Sequence, residues 1–97
     1  MNLNDIIFID QFPKLDLHGL DRDCAKLYIK DFINDNIKMK NEIIVIVHGV
    51  GQGILKETTH QYLTNNKHII DFKTFYYNQG CTIVQLKIWQ LVQNMLF

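Results

Sequence analysis

The chain has 97 residues, which is enough for one domain with a single modest core. Its 47% hydrophobic and 21% charged residues are typical of a folded protein, and no apolar run approaches the ~20 residues that span a bilayer. The formal net charge is zero, which neither supports nor excludes a nucleic-acid partner, because a basic surface can be local.

The N-terminus lacks the basic cluster of a signal peptide. The two cysteines, Cys24 and Cys81, lie far apart and form no CxxC pair, so neither a disulfide framework nor a structural zinc site is indicated. We therefore expect a cytoplasmic protein without a membrane partner, in which both cysteines are reduced and serve as small core residues.

The first two predicted elements are a strand and a helix. The segment KLDLHGL, residues 14–20, alternates leucines with polar residues and predicts a short strand that ends at Gly19. Asp21 follows where a helix N-cap belongs. Apolar residues at helical spacing then predict a helix over about residues 22–37.

Four further elements follow in the second half of the chain. The β-branched run of residues 41–49 is typical of a strand buried on both faces. Residues 54–66 predict a second helix, and residues 68–77 alternate as a strand does. A tight connection, Asn78-Gln79-Gly80, precedes a last strand over residues 81–88.

The resulting order, β-α-β-α-β-β, predicts an α/β domain with a four-stranded mixed sheet and two helices. Helical crossovers favour parallel pairing among the first three strands, whereas the short connection predicts an antiparallel hairpin for the last two. The apolar tail of residues 89–97 either packs on the domain as a short helix or offers a surface to a partner chain.

A glycine-rich loop connects the second strand to the second helix. Its glycines, Gly49, Gly51 and Gly53, follow the pattern G-x-G-x-G. The dinucleotide fingerprint requires G-x-G-x-x-G, and a Walker loop requires Gly-Lys-Ser/Thr, so both kinds of site are disfavoured. The glycines still allow the backbone to approach a ligand closely.

Polar side chains follow the strand ends on either side of this loop. Asp16 and His18 are two apart on a predicted strand and would project to one face, and His48 would lie beside them because parallel strands end at a common edge. The second helix would offer free N–H groups to an anion. Lys56 in its first turn is unfavourable for the helix dipole unless a phosphate lies nearby.

This set of groups suits the cleavage of a phosphodiester. Imidazoles exchange protons near neutral pH and can act as acid and as base, and a carboxylate can orient one of them. The same three side chains, Asp16, His18 and His48, could instead hold a divalent metal such as Mg or Mn, and the sequence leaves both alternatives open.

Four other aromatic or imidazole residues carry weaker signals. His60 and His68 are isolated in the sequence, so we expect structural or surface roles for both. Tyr76 and Tyr77, near the predicted turn, could stack on bases, although packing is the expected role for at least one of them.

Two motifs together resemble the small MutS-related (Smr) domain. These are LDLHG at residues 15–19 and HGVGQG at residues 48–53, and the closing TIVQL at residues 82–86 is similar to the family's last strand. The resemblance covers roughly residues 13–87 within a single domain of residues 1–97. It implies a two-layer α/β sandwich similar to the C-terminal domain of a bacterial translation initiation factor.

The resemblance also implies a function and its residues. Smr domains are associated with nicking of DNA and cleavage of RNA, including messenger RNA on stalled ribosomes. By this resemblance Asp16 and His18 would be the catalytic pair, and His48 with the three loop glycines would contact the substrate. Two departures weaken the expected phosphate contacts: Val50 stands where many members have a basic residue, and the connection at residues 78–80 is short.

Three functions remain open at this point. The first is an endonuclease that acts on RNA or DNA. The second is a module that binds nucleic acid or the ribosome without cleaving. The third is a protein-interaction domain that docks a partner, or a second copy, through residues 89–97.

Overall fold

The structure is a computed structural model, and it describes residues 2–88. The predicted tail at residues 89–97 lies outside the described residues. A 3-10 turn precedes six regular elements, which have the following bounds: 3-10 turn Leu3–Asp5, β1 Lys14–Asp16, α1 Arg22–Lys38, β2 Ile43–Val47, α2 Ile54–Thr64, β3 Ile69–Phe75 and β4 Asn78–Leu86. Neither helix within residues 2–88 has the length and apolar character needed to cross a membrane.

The four strands form one mixed sheet in the order β1-β2-β4-β3. β1 and β2 pair in parallel, and β4 is antiparallel to both of its neighbours. The predicted mixed sheet and antiparallel hairpin are confirmed. The predicted parallel pairing is confirmed for β1 and β2 but is wrong for β3, because β4 inserts between β2 and β3 although β3 runs in the same direction as β2.

The hairpin turn lies earlier than the sequence suggests. Asn78 pairs with Phe75, so the connecting residues are Tyr76 and Tyr77, and the predicted connection at residues 78–80 is the start of β4. Asn78 and Gly80 are residue types common in turns, but the ladder is irregular at this point and accommodates them within the strand.

One face of the sheet packs against the two helices. Asp21 caps α1 as predicted, since its carboxylate accepts a hydrogen bond of 2.8 Å from the Cys24 backbone N–H. The side chains that share this core are fully buried and come from both helices, from β2 and β4, and from the residue that follows β1: Leu17, Ala25, Ile29, Ile33, Ile44, Ile46, Leu63, Val84 and Leu86.

The opposite face of the sheet is covered by the N-terminal segment, residues 3–12. Leu3 is buried there against Val45 and Ile83 of the central strands, with apolar residues up to Phe12 beside it. β2 is therefore buried on both faces, as predicted. Cys81 belongs to this core, whereas Cys24 is exposed on α1 and does not have the predicted core position.

Candidate functional site

Asp16 and His18 lie at the end of β1, and both are exposed. β1 ends at Asp16, so His18 belongs to the following turn rather than to the strand, which corrects the prediction that both project from one strand face. The turn is held by the Asp16 carboxylate, whose Oδ1 accepts a hydrogen bond of 2.9 Å from the His18 backbone N–H. Asp16 thus positions the backbone of His18 through one carboxylate oxygen.

His48 adjoins this turn through the backbone, but its side chain points elsewhere. The Leu17 N–H donates to the Val47 carbonyl at 2.8 Å, and Asp16 is paired with Val47. Successive residues of a strand point to opposite faces, so Asp16 shares the face of Val47, and His48 faces the helices. The expectation that His48 lies beside the Asp16 side chain is therefore wrong.

The imidazole of His48 is only 6% exposed and is hydrogen-bonded at both nitrogens. Nδ1 lies 2.9 Å from the Gly49 carbonyl oxygen, and Nε2 lies 2.8 Å from the hydroxyl oxygen of the fully buried Thr82. The same hydroxyl lies 2.8 Å from Nε2 of His60, on α2. His60, for which we expect a structural or surface role, is thus linked to His48 through Thr82.

The direction of each hydrogen bond in this chain follows from one fixed acceptor. The Gly49 carbonyl can only accept, so Nδ1 of His48 carries the proton. In neutral His48, Nε2 then accepts from the Thr82 hydroxyl, and Thr82 in turn accepts from the Nε2–H of His60. We call these three residues, His60, Thr82 and His48, the buried polar chain.

The surroundings favour the neutral form of both imidazoles. Burial has the largest effect on His48 and lowers its pKa. The hydrogen bond to the Gly49 carbonyl raises the pKa, and the charge of Lys56 lowers it. The pKa of His60 is also lowered, most by burial, then by the charge of His48 and then by the charge of Lys56. Both shifts favour the uncharged imidazole, which is the form that gives the buried polar chain its direction.

The glycine loop is fixed against β4 by its backbone. The N–H groups of His48 and Gly49 both donate to the Gly80 carbonyl, at 2.9 and 3.0 Å. A Cβ atom on Gly80 would lie 3.2 Å from the Gly49 Cα, so the two backbones touch. Gly49 and Gly53 have positive φ angles of 78° and 81°, whereas Gly51 has no such requirement.

The loop surrounds a concavity of about 240 Å³ that is lined by residues 48–56. Gly53 precedes the first turn of α2 and supplies no side-chain cap, so the first N–H groups of the helix remain without an intrahelical partner. Lys56 lines the concavity beside them. Free N–H groups, the helix dipole and a cation together suit an anion such as phosphate.

The positions of Asp16, His18 and His48 also decide whether the three side chains could hold a metal. Within residues 2–88, no three His, Cys, Asp or Glu side chains converge as a set of metal ligands. Because His48 faces the helices, it does not join Asp16 and His18 in a common coordination sphere. A site for Mg or Mn made of all three side chains does not fit this arrangement.

Comparison with known families supports the two sequence motifs. A family model described as "Smr domain" matches residues 15–87. The chain is 33% identical over 81 residues to Endonuclease MutS2 of Alkaliphilus metalliredigens and 35% identical over 77 residues to Endonuclease MutS2 of Streptococcus suis. These matches cover 80% and 76% of this chain, but the chain spans only 10% of the length of either relative.

Comparison with solved structures supports the fold. The Smr domain of Thermus thermophilus MutS2 superposes with a TM-score of 0.75 at 23% identity, covering 76% of this chain and 96% of that domain. A stand-alone small MutS-related protein from Escherichia coli gives a TM-score of 0.74 at 19% identity, covering 79% of this chain and 66% of that protein. The predicted α/β architecture is thereby confirmed.

Proposed function

The chain belongs to the Smr domain family, and we propose that it is a nucleic-acid endonuclease that cleaves phosphodiester bonds in RNA or DNA. The observation that carries the proposal is the exposed Asp16–His18 turn beside a glycine loop at one edge of the sheet. The relatives named Endonuclease MutS2 support it, although the chain spans about a tenth of their length.

Asp16 and His18 are the candidates for proton transfer. Both side chains are exposed, and the Asp16 carboxylate uses only Oδ1 to hold the turn, so Oδ2 remains for chemistry. A base of this kind removes a proton from water or from a ribose 2′-hydroxyl as the new bond to phosphorus forms. An acid then protonates the leaving oxygen as its bond to phosphorus breaks.

The glycine loop and the start of α2 are the candidates for phosphate binding. Their N–H groups and Lys56 surround the concavity at residues 48–56 and would stabilise the added negative charge on the phosphorus oxygens. In this proposal His48 is a positioning residue, because its ring nitrogens bond to Gly49 and Thr82 and its pKa is lowered by burial.

One observation favours a module that binds nucleic acid without cleaving it. The Asp16 carboxylate has a structural partner, the His18 N–H, and an Asx turn of this kind needs no catalytic role. The exposed side chain at the tip of the loop is Val50, which brings no charge to a phosphate. Docking to the ribosome belongs to this second candidate.

Cleavage of three substrates, two end-labelled RNAs and one supercoiled DNA, distinguishes the two candidates. Single-stranded RNA, duplex RNA and supercoiled DNA are incubated with wild type and with Asp16→Ala/His18→Ala, each with Mg²⁺ and with EDTA. Cleavage by wild type that disappears in the double variant supports the nuclease, and its EDTA arm reports the metal requirement. Binding without cleavage, equal in both proteins, contradicts the nuclease and favours the binding module.

The products identify the nucleophile. RNA fragments that end in a 2′,3′-cyclic phosphate indicate attack by the substrate's own 2′-hydroxyl, which requires only an acid and a base. Fragments with a 5′-phosphate indicate attack by water.

A further inference from the structure

Two aromatic residues protrude from the tip of the β3–β4 hairpin. Tyr76 is 79% exposed and Tyr77 is 64% exposed, with their ring centroids 5.1 Å apart at an angle of 82°. The ring of Tyr77 also rests on the buried Phe75, at 5.5 Å. The pair is thus supported from one side and open to solvent on the other.

The turn itself does not select tyrosine at these positions. Two-residue hairpin loops favour glycine, asparagine and aspartate, which readily adopt positive φ angles. Neither tyrosine has a positive φ, since Lys40 is the one non-glycine residue of the described chain that does. Two large aromatic side chains at an exposed turn therefore point to a contact outside the fold.

The tip lies at the same edge of the sheet as the candidate site. β4 is antiparallel to β2, so its start adjoins the ends of β1 and β2. Tyr77 is three residues before Gly80, which touches Gly49, and three residues reach at most about 11 Å. Asp16 pairs with Val47, and Val47 pairs with Cys81, so Asp16 lies two strand spacings, or about 10 Å, across the sheet from Cys81, and Tyr77 is four residues before Cys81.

The tip also lies on the same face of the sheet as Asp16. Both tyrosines line a concavity of about 140 Å³ with Leu3 and Ile83, on the face covered by the N-terminal segment. Asp16 shares that face through its pairing with Val47. A positive charge accompanies the rings, because Lys73 lines the same concavity.

We propose that Tyr76 and Tyr77 form a stacking platform for an unpaired base of the substrate, a few nucleotides from the phosphate at the glycine loop. This inference rests on the proposed nucleic-acid function and adds the substrate class, which is single-stranded nucleic acid. The faces of an unpaired base are free to stack on a tyrosine ring, whereas a base inside a duplex is already stacked on its neighbours.

Binding of labelled oligonucleotides tests the platform. Fluorescence anisotropy is measured with a 12-nucleotide single strand and with its duplex, for RNA and for DNA. All proteins carry His18→Gln to suppress cleavage during the titration. The variant Tyr76→Ala/Tyr77→Ala is compared with Tyr76→Phe/Tyr77→Phe, which keeps the rings, and with Tyr28→Ala, which removes a tyrosine that is 52% exposed on α1.

We expect the double alanine variant to bind single strands about tenfold more weakly, in line with the loss of one stacked base. Duplex affinity, and the affinity of the phenylalanine and Tyr28 variants, should stay at the reference level. The slope of log Kd against log salt should not change, because no phosphate contact is removed. Tyr76→Ala alone removes the more exposed ring and keeps the packing of Tyr77 on Phe75. It therefore controls for any loss of stability in the double variant.

The two possible failures are distinguishable. If the reference protein binds single strands and the double alanine variant binds them equally well, the platform is wrong while the proposed function stands. If the reference protein binds no nucleic acid at all, the platform and the proposed function are both wrong. The aromatic tip would then be a contact for another protein. Equal losses for single strands and duplexes would also contradict the platform.

Discussion

His48 and His60 share one hydroxyl, since the Nε2 atom of each ring lies 2.8 Å from Thr82 Oγ1. The two ring centroids are 6.0 Å apart, in an edge-to-face arrangement. Through Gly49, which accepts from His48, this buried polar chain connects α2 and β4 to the glycine loop. The conformation of the loop therefore depends on residues behind it as well as on its own glycines.

Thr82→Val should destabilise the protein by about 1–3 kcal/mol, because it keeps the shape of the side chain but leaves both histidine Nε2 atoms without a partner. Urea denaturation measures the loss. The matched control is Thr59→Val, which is equally buried but removes only a hydroxyl bonded within its own helix, to the Leu55 carbonyl. Equal losses in both variants would contradict the buried polar chain.

Stability should fall on mild acidification. The pKa of His48 and of His60 is lowered in the folded protein from the ordinary 6.5, so the unfolded chain takes up protons first as the pH falls. Their contribution is complete above pH 6.5 and is lost progressively as the pH falls below it. Urea midpoints measured between about pH 7 and pH 5 report this loss.

The control for this pH effect replaces histidines with glutamine. His48→Gln/His60→Gln should flatten the decline, whereas His18→Gln, at an exposed position, should leave it unchanged. Asp21 has a lowered pKa too, through its hydrogen bonds at Cys24, but its contribution is lost only as the pH falls below its ordinary 3.8. If the stability of the double variant still declines between about pH 7 and pH 5, other groups are responsible for the decline.

The loop glycines should differ in their tolerance of alanine. Gly49→Ala and Gly53→Ala should each cost about 1–2 kcal/mol, because an L side chain is strained at their positive φ angles. Gly51→Ala is the matched control, since its Cβ would meet no atom within 4 Å and its φ is not positive. Thermal or urea denaturation gives the comparison, and equal costs at all three positions would contradict the loop geometry.

Local sequence patterns predicted the helices and the central strand well. The Asp21 cap fixes the start of α1, and the continuous β-branched run fixes the strand that is buried on both faces. Contacts between distant segments were not predictable in the same way. His60 and Thr82 are 22 residues apart, and no local periodicity relates a helix position to a position on the fourth strand.

The orientation of the site residues can be derived only from the register in which β1 and β2 pair. The sequence motifs correctly indicate that Asp16 and His48 end neighbouring strands. Their opposite orientations follow from the pairing of Asp16 with Val47 rather than with His48, and a shift of one residue would place both side chains on the same face. The sequence predicts the hairpin connection at residues 78–80 rather than at Tyr76 and Tyr77, because turn-type residues occupy the irregular start of β4.

The N-terminal cover should contribute strongly to stability. Leu3 is 2% exposed against the second face of the sheet, so Leu3→Ala should cost about 2–5 kcal/mol. Phe8→Ala removes a larger side chain from the same segment, but Phe8 is 73% exposed and its loss should be nearly neutral. Equal urea midpoints for the two variants would mean that the segment does not pack on the sheet as described.

The most direct test of the proposed activity is the single-turnover rate of substrate cleavage by His18→Gln, measured beside the Kd for the same substrate. His18 is exposed and its ring is not needed to hold the turn, since Asp16 bonds to its backbone. Loss of a proton-transfer group predicts a rate about 10²- to 10⁴-fold lower, with Kd unchanged. Cleavage at the wild-type rate would contradict the assignment of the chemistry to this turn.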